Sequence, residues 1–147
     1  PPDPQGEETF RRSRLHRDLR HQGRHRALYE LHRELIRLRR TRLALAHLSK
    51  DNLTATSFEE PRALVVRRGP AGRECAAVYH FGESPAAVQF FLPPGRWAKI
   101  LDSEAKRWYG AGSPVPAVLE ASGEVSLTLP PQAFVLFAAE KVGNGTL

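Results

Sequence analysis

The chain contains a single cysteine, Cys75, and no methionine in 147 residues. One cysteine cannot close an internal disulfide. It lies in an apolar run, Cys75-Ala76-Ala77-Val78, which reads as core packing in a reducing compartment and not as nucleophilic chemistry. No stretch is long and apolar enough to cross a bilayer as a helix. The start, Pro1-Pro2-Asp3-Pro4, has neither the charged opening nor the apolar run of a secretory signal. The expected location is therefore the cytoplasm. A start of Pro-Pro with no initiator Met leads to the expectation that the chain derives from a longer product. Serine-hydrolase and phosphate-loop patterns are absent as well.

Apolar residues make up 41% of the chain, enough for a real core and too many for general disorder. The length suits one domain, or one domain plus part of another. The net charge of +6 is unevenly spread. Residues 1–50 carry 13 Lys and Arg against 6 Asp and Glu (+7), and the remainder carries 9 against 10 (−1). Five of the six histidines also fall in the first part. This change of composition places a boundary near Leu48 to Asn52.

Residues 1–21 read as an extended loop. Pro1, Pro2 and Pro4 forbid an early helix, and only Phe10 and Leu15 offer anchors in the charged run that follows. One long helix is expected from about residue 22 to residue 45. Leu28, Leu31, Leu35 and Leu38 recur at spacings of three, four and three and draw an apolar stripe. Glu30/Arg33 and Glu34/Arg37 support the helix weakly as i,i+3 pairs. A lone helix with such a stripe needs a surface to bury it. The stripe is therefore expected to be covered, by the rest of the chain or by self-association with a second copy, while Arg24, Arg37 and Arg40 stay near solvent.

After Asp51 the period changes. Short β-rich runs follow at residues 53–58, 63–68, 74–81, 86–92, 97–101, 115–119, 124–129 and 133–138. Val125, Leu127 and Leu129 alternate with Ser126 and Thr128, and Cys75, Ala77, Tyr79 and Phe81 form a similar face. Gly69-Pro70-Ala71-Gly72, Pro93-Pro94-Gly95 and Pro130-Pro131 supply turns. The fold class expected is mainly β: an antiparallel β-sandwich of about seven to eight strands, preceded by an extended loop and one long α-helix. The divisions are 1–47, 48–142 and a flexible tail at 143–147.

Few residues point to chemistry. His16, His21, His25 and His32 could suggest a metal, but no carboxylate or cysteine stands at a convincing third-ligand spacing, so no metal or cofactor is expected. The arginine-rich helix could meet nucleic-acid phosphates, or equally the carboxylates of a neighbouring domain. The strands lack a base-stacking aromatic motif. Trp97, Trp108 and Tyr109 are flat amphipathic groups that could stack on a sugar. Trp97 reads as core. Trp108 and Tyr109 remain open between sugar contact and loop packing. A glycosidase needs two carboxylates set around the scissile bond. Asp102, Glu104 and Glu120 sit in no motif that marks such a pair, so no catalytic residue is assigned.

Asp3-Pro4-Gln5, Thr9-Phe10, Arg12-Ser13, Leu15, Gln22-Gly23-Arg24-His25, Tyr29, Arg33-Glu34-Leu35-Ile36 and Leu38-Arg39-Arg40 closely resemble the end of the catalytic barrel in the malto-oligosyltrehalose trehalohydrolase family. Pro94-Gly95-Arg96-Trp97, Leu101-Asp102-Ser103, Arg107-Trp108-Tyr109-Gly110 and Leu129-Pro130-Pro131-Gln132-Ala133-Phe134-Val135-Leu136 resemble that family's C-terminal domain. The resemblance covers residues 3–140, roughly the whole chain; the sandwich alone would suggest only the wider α-amylase superfamily, including branching and debranching types. It implies a (β/α)₈ barrel followed by a β-sandwich, and hydrolysis of the α-1,4 bond next to a terminal trehalose. The family's catalytic acids stand on barrel strands that precede everything present here. The implied role is a non-catalytic C-terminal part whose partner is the barrel, with residues 1–47 as the barrel's last loop and helix.

Overall fold

The computed structural model describes residues 3–47 and 49–140. The segment expected as a loop contains a helix, α1 (Glu7–Ser13), and a 3-10 turn at Arg17–His21. The prolines all precede α1. Its acidic first turn and basic last turn match the helix dipole, and Arg11 and Arg12 pair back to Glu7 and Glu8 one turn earlier. No residue of α1 is buried, so local charge order is what favours it.

The long helix is present as α2 (Gly23–Thr41), which breaks at Arg42 and resumes for one turn as α3 (Leu43–Ala46). Its leucine stripe is only half covered. Leu38 is 1% exposed and Leu31 is partly buried, whereas Leu28 and Leu35 are 54% and 40% exposed. The cause is rotational. The covered line runs through Ala27, Leu31, Glu34 and Leu38. At about 100° per residue, Leu28 and Leu35 lie well round the cylinder from that line, beside the exposed Ile36. The helix therefore has two apolar faces, one covered and one open. Arg24, Arg37 and Arg40 are exposed as expected.

Among the described residues eight strands follow: β1 (Leu53–Phe58), β2 (Ala63–Arg68), β3 (Cys75–His80), β4 (Ala86–Phe91), β5 (Gly95–Asp102), β6 (Val118–Ala121), β7 (Glu124–Leu129) and β8 (Phe134–Ala139). All pairings are antiparallel, in a six-stranded sheet of order β1-β2-β3-β8-β5-β6 and a two-stranded sheet β4-β7. The expected run at 115–119 is displaced to β6 because Pro114 and Pro116 flank Val115; Val115 is buried in the preceding loop instead. The main core lies between the sheets. It includes Val65, Val78, Phe90, Trp97, Leu127, Leu129, Val135 and Phe137. Trp97 is 1% exposed and its indole N–H donates to the Pro93 carbonyl at 3.1 Å, so its expected core role holds.

The face read from Cys75, Ala77, Tyr79 and Phe81 turns away from that core. Ala76 and Val78 point into it, while Cys75 and Ala77 meet α2 and α3 in a second cluster with Leu38, Ala44, Leu101, Leu136 and Ala138. Phe81 lies beyond the strand end and is exposed. The β2–β3 turn touches α3 so closely that a Cβ on Gly69 would stand 2.5 Å from the Ala44 methyl. Among the described residues no helix is long and apolar enough to cross a membrane.

Leu38→Ala should cost about 2–5 kcal/mol in urea unfolding, the range for a buried leucine. Leu28→Ser should change the same chain's stability by roughly 0.5 kcal/mol or less, as is usual at exposed positions. Equal losses at the two positions would show that the helix is not held through the Leu38 face.

Candidate functional site

The two aromatic candidates sit in the loop between β5 and β6, against the start of α2. The loop begins at Asp102, which is 5% exposed. One carboxylate oxygen of Asp102 accepts the Glu104 backbone N–H at 3.0 Å, and the other takes the Lys99 ammonium at 2.5 Å. Lys99 also donates to the Val115 carbonyl at 2.7 Å, tying the two ends of the loop together. Ser103 exchanges bonds with Phe134 on β8 through its backbone N–H and its hydroxyl oxygen, both at 2.9 Å. A 3-10 turn, Lys106–Trp108, then leads into Tyr109, whose φ of 65° is left-handed. Gly110 packs against the Glu104 backbone and has no room for a Cβ. The Gly112 N–H returns to the Glu104 carbonyl at 2.8 Å.

Adjacent in sequence, the two rings have different surroundings. Trp108 is partly buried against the helix–sheet cluster, its indole N–H is buried without a partner, and the Arg107 guanidinium lies 4.4 Å from its ring centroid. Tyr109 is 57% exposed, with the Arg24 guanidinium of α2 at 5.9 Å over its ring. Arg24 belongs to the helix and Tyr109 to the sandwich, a juxtaposition that no spacing in the sequence reveals.

The carboxylates have structural partners. Asp102 is ion-paired, Glu120 faces Arg96 at 3.4 Å, and Glu104 accepts the Ala111 N–H at 3.4 Å. Glu34 on α2 is held below the usual carboxylate range, chiefly by its hydrogen bonds from Arg37 at 2.6 and 2.7 Å, against a smaller opposing effect of burial. His16, His21, His25 and His32 are exposed, and among the described residues no three potential metal ligands cluster. His80, which drew no attention in the sequence, is 2% exposed; its Nδ1–H donates to the Pro130 carbonyl at 2.7 Å and locks β3 to the β7–β8 turn. Gly82 packs on the same ring, where a Cβ would come within 2.5 Å of Nε2. Burial pushes the Cys75 thiol pKa up, and nearby Arg42 and Arg68 offset part of that rise.

No family model matches the chain. It is 34% identical over 118 residues, 78% of its length, to the malto-oligosyltrehalose trehalohydrolase of Deinococcus radiodurans; the match lies in the C-terminal region of that protein and covers 19% of it. The protein of the same name from Mycobacterium tuberculosis is 34% identical over 87 residues, 59% of this chain and 14% of the relative. The resemblance read from the residues is met by these matches. The chain spans no more than about a fifth of the length of these curated relatives. Among solved structures, trehalulose synthase MutB from Pseudomonas mesoacidophila MX-45 overlaps 75% of the chain and 17% of its own at a TM-score of 0.47 and 17% identity, a likeness too slight to bear on function.

Three measurements check the geometry. Asp102→Ala leaves Lys99, only 16% exposed, without its carboxylate and should lower stability by about 3–5 kcal/mol; a loss below about 1 kcal/mol, the level of a surface pair, would refute the bracing role. Because the folded state holds the Cys75 proton more tightly than the unfolded chain, stability should fall as pH rises above the unfolded thiol value of about 8.5. Cys75→Ala should flatten that part of the profile. Iodoacetamide should label the native thiol far more slowly than the unfolded one, and equal rates would contradict its burial.

Proposed function

We propose that the chain is the non-catalytic C-terminal part of a cytoplasmic glycoside hydrolase of trehalose biosynthesis, one that cleaves the α-1,4 bond next to the terminal trehalose of a maltooligosyl-trehalose. The observation that carries the reading is the 34% identity over 118 residues to the C-terminal region of a malto-oligosyltrehalose trehalohydrolase. In this reading residues 1–47 complete a catalytic barrel and residues 48–142 form the sandwich; the expected tail at 143–147 lies outside the described residues. Asp102 and Glu104 brace the β5–β6 loop, and the sandwich supplies no acid–base pair. The barrel supplies those groups.

The two-faced helix supports the same reading. One face of α2 is anchored to the six-stranded sheet through Leu31 and Leu38. The other presents Leu28, Leu35 and Ile36 to solvent. A layer of the barrel on that side would bury a helix that is otherwise apolar toward water. Arg39 and Arg40, which have no carboxylate partner among the described residues, would meet acidic groups around the rim.

The test is hydrolysis. The full reading frame that contains this chain should release trehalose from maltooligosyl-trehalose, and the 147-residue chain alone should release none. Trehalose from the isolated chain would overturn the non-catalytic role, and a full reading frame without a barrel would overturn the family reading. In isolation the open helix face should drive self-association. Sedimentation should show a dimer or larger species, reduced to monomer by Leu28→Ser with Leu35→Ser; a wild-type monomer at all concentrations would dispose of this prediction.

A further inference from the structure

We propose that Tyr109, with the Arg24 guanidinium over its ring, is a surface contact for an α-1,4-glucan. The inference takes only its choice of ligand from the proposed function above. It otherwise stands on the loop itself. Tyr109 is a bulky residue in the left-handed region, at φ 65°, where side chains other than Gly, Asn and Asp are uncommon. Its conformation is imposed from both sides: its own N–H is taken by the Lys106 carbonyl at 3.0 Å, and Gly110 is wedged against the Glu104 backbone. Asp102, Lys99 and Glu104 brace the loop below. The result is a ring that is 57% exposed on a backbone with little freedom left to lose. Unfavourable local geometry that the surroundings enforce is a mark of positions where presentation of the side chain matters.

The neighbours fit a sugar. The apolar C–H face of a glucose ring stacks on a flat aromatic surface, and its hydroxyls accept from planar N–H donors. Arg24 stands at 5.9 Å over the tyrosine ring, while Arg107 is stacked on the neighbouring Trp108 at 4.4 Å. Arg24 has no carboxylate partner among the described residues and keeps its donors for hydroxyls. Trp108, partly buried behind the loop, buttresses the site and leaves the stacking to Tyr109. A single ring with one guanidinium beside it implies weak, millimolar binding.

The experiment is a backbone and arginine side-chain NMR titration of the chain with maltoheptaose. Saturable shifts are expected at residues 109–112 and at the Arg24 Nε–H. Tyr109→Phe should retain binding, Arg24→Ala should weaken it several-fold, and Tyr109→Ala should abolish it while leaving the β7 and β8 resonances in place. Inorganic phosphate serves as the competing probe for two exposed cations. No saturable shift with maltoheptaose, shifts that persist in Tyr109→Ala, or a response to phosphate alone would overturn the inference. The titration reads binding and the hydrolysis assay reads catalysis, so the failure of one is distinguishable from the failure of the other.

Discussion

The architecture depends on a six-stranded sheet whose middle strands must be covered on both faces. In β8, Val135 and Phe137 enter the core between the sheets, while Leu136 and Ala138 point to the opposite side. β3 repeats the arrangement with Ala76 and Val78 against Cys75 and Ala77. A two-stranded second sheet can shield only one side of these strands. The other side needs α2 and α3, and Leu38 and Ala44 fill that role at 1% exposure each. The helix therefore covers the second face of the sandwich's main sheet, although its composition sets it apart. The boundary near residue 48 marks a change in secondary structure and charge without marking a break in the packing.

This double coverage also decides what could be read from the sequence. β1, β2 and β7 match their expected limits because turn residues bound them clearly, and in β7 the alternation of Val125, Leu127 and Leu129 with Ser126 and Thr128 fixes one inward face. β3 carries apolar residues on both faces, so alternation cannot say which one enters the core, and the face of Cys75 and Ala77 meets the helix instead. α1 is hard to read from sequence because the prolines before it signal a loop, while its support is only charge order along an exposed helix. The leucine stripe was found, but a spacing of three and four residues fixes only a broad sector of the helix. Which edge of that sector meets the sheet was set by tertiary packing, which brings Ala27 and Glu34 to the covered side in place of Leu28 and Leu35.

The candidate site shows the same limit. Two adjacent aromatics before a glycine-rich turn were visible as residue types. Their separate fates follow from the left-handed backbone at Tyr109 and from Arg24, which comes from a helix 85 positions earlier in the chain. Neither is encoded in local spacing. His80 was equally hidden: a lone histidine at a strand end carries no signal until the Pro130 carbonyl closes on its ring.

The charge asymmetry is best understood together with the helix's open face. Where guanidinia sit one helical turn from carboxylates they pair within α1 and α2, as Arg11, Arg33 and Arg37 do. Such exposed pairs contribute only about 0.3–0.5 kcal/mol each and do not account for a +7 segment. Of the arginines left over, Arg39 and Arg40 share α2 with Leu28, Leu35 and Ile36. A nucleic acid would satisfy the charges and leave the leucines in water. A folded protein surface with an apolar centre and acidic margin would satisfy both, because desolvating the leucines and pairing the guanidinia are then a single event. The mixture of the two on one helix therefore favours a protein layer over a polyanion as what this face is built to meet.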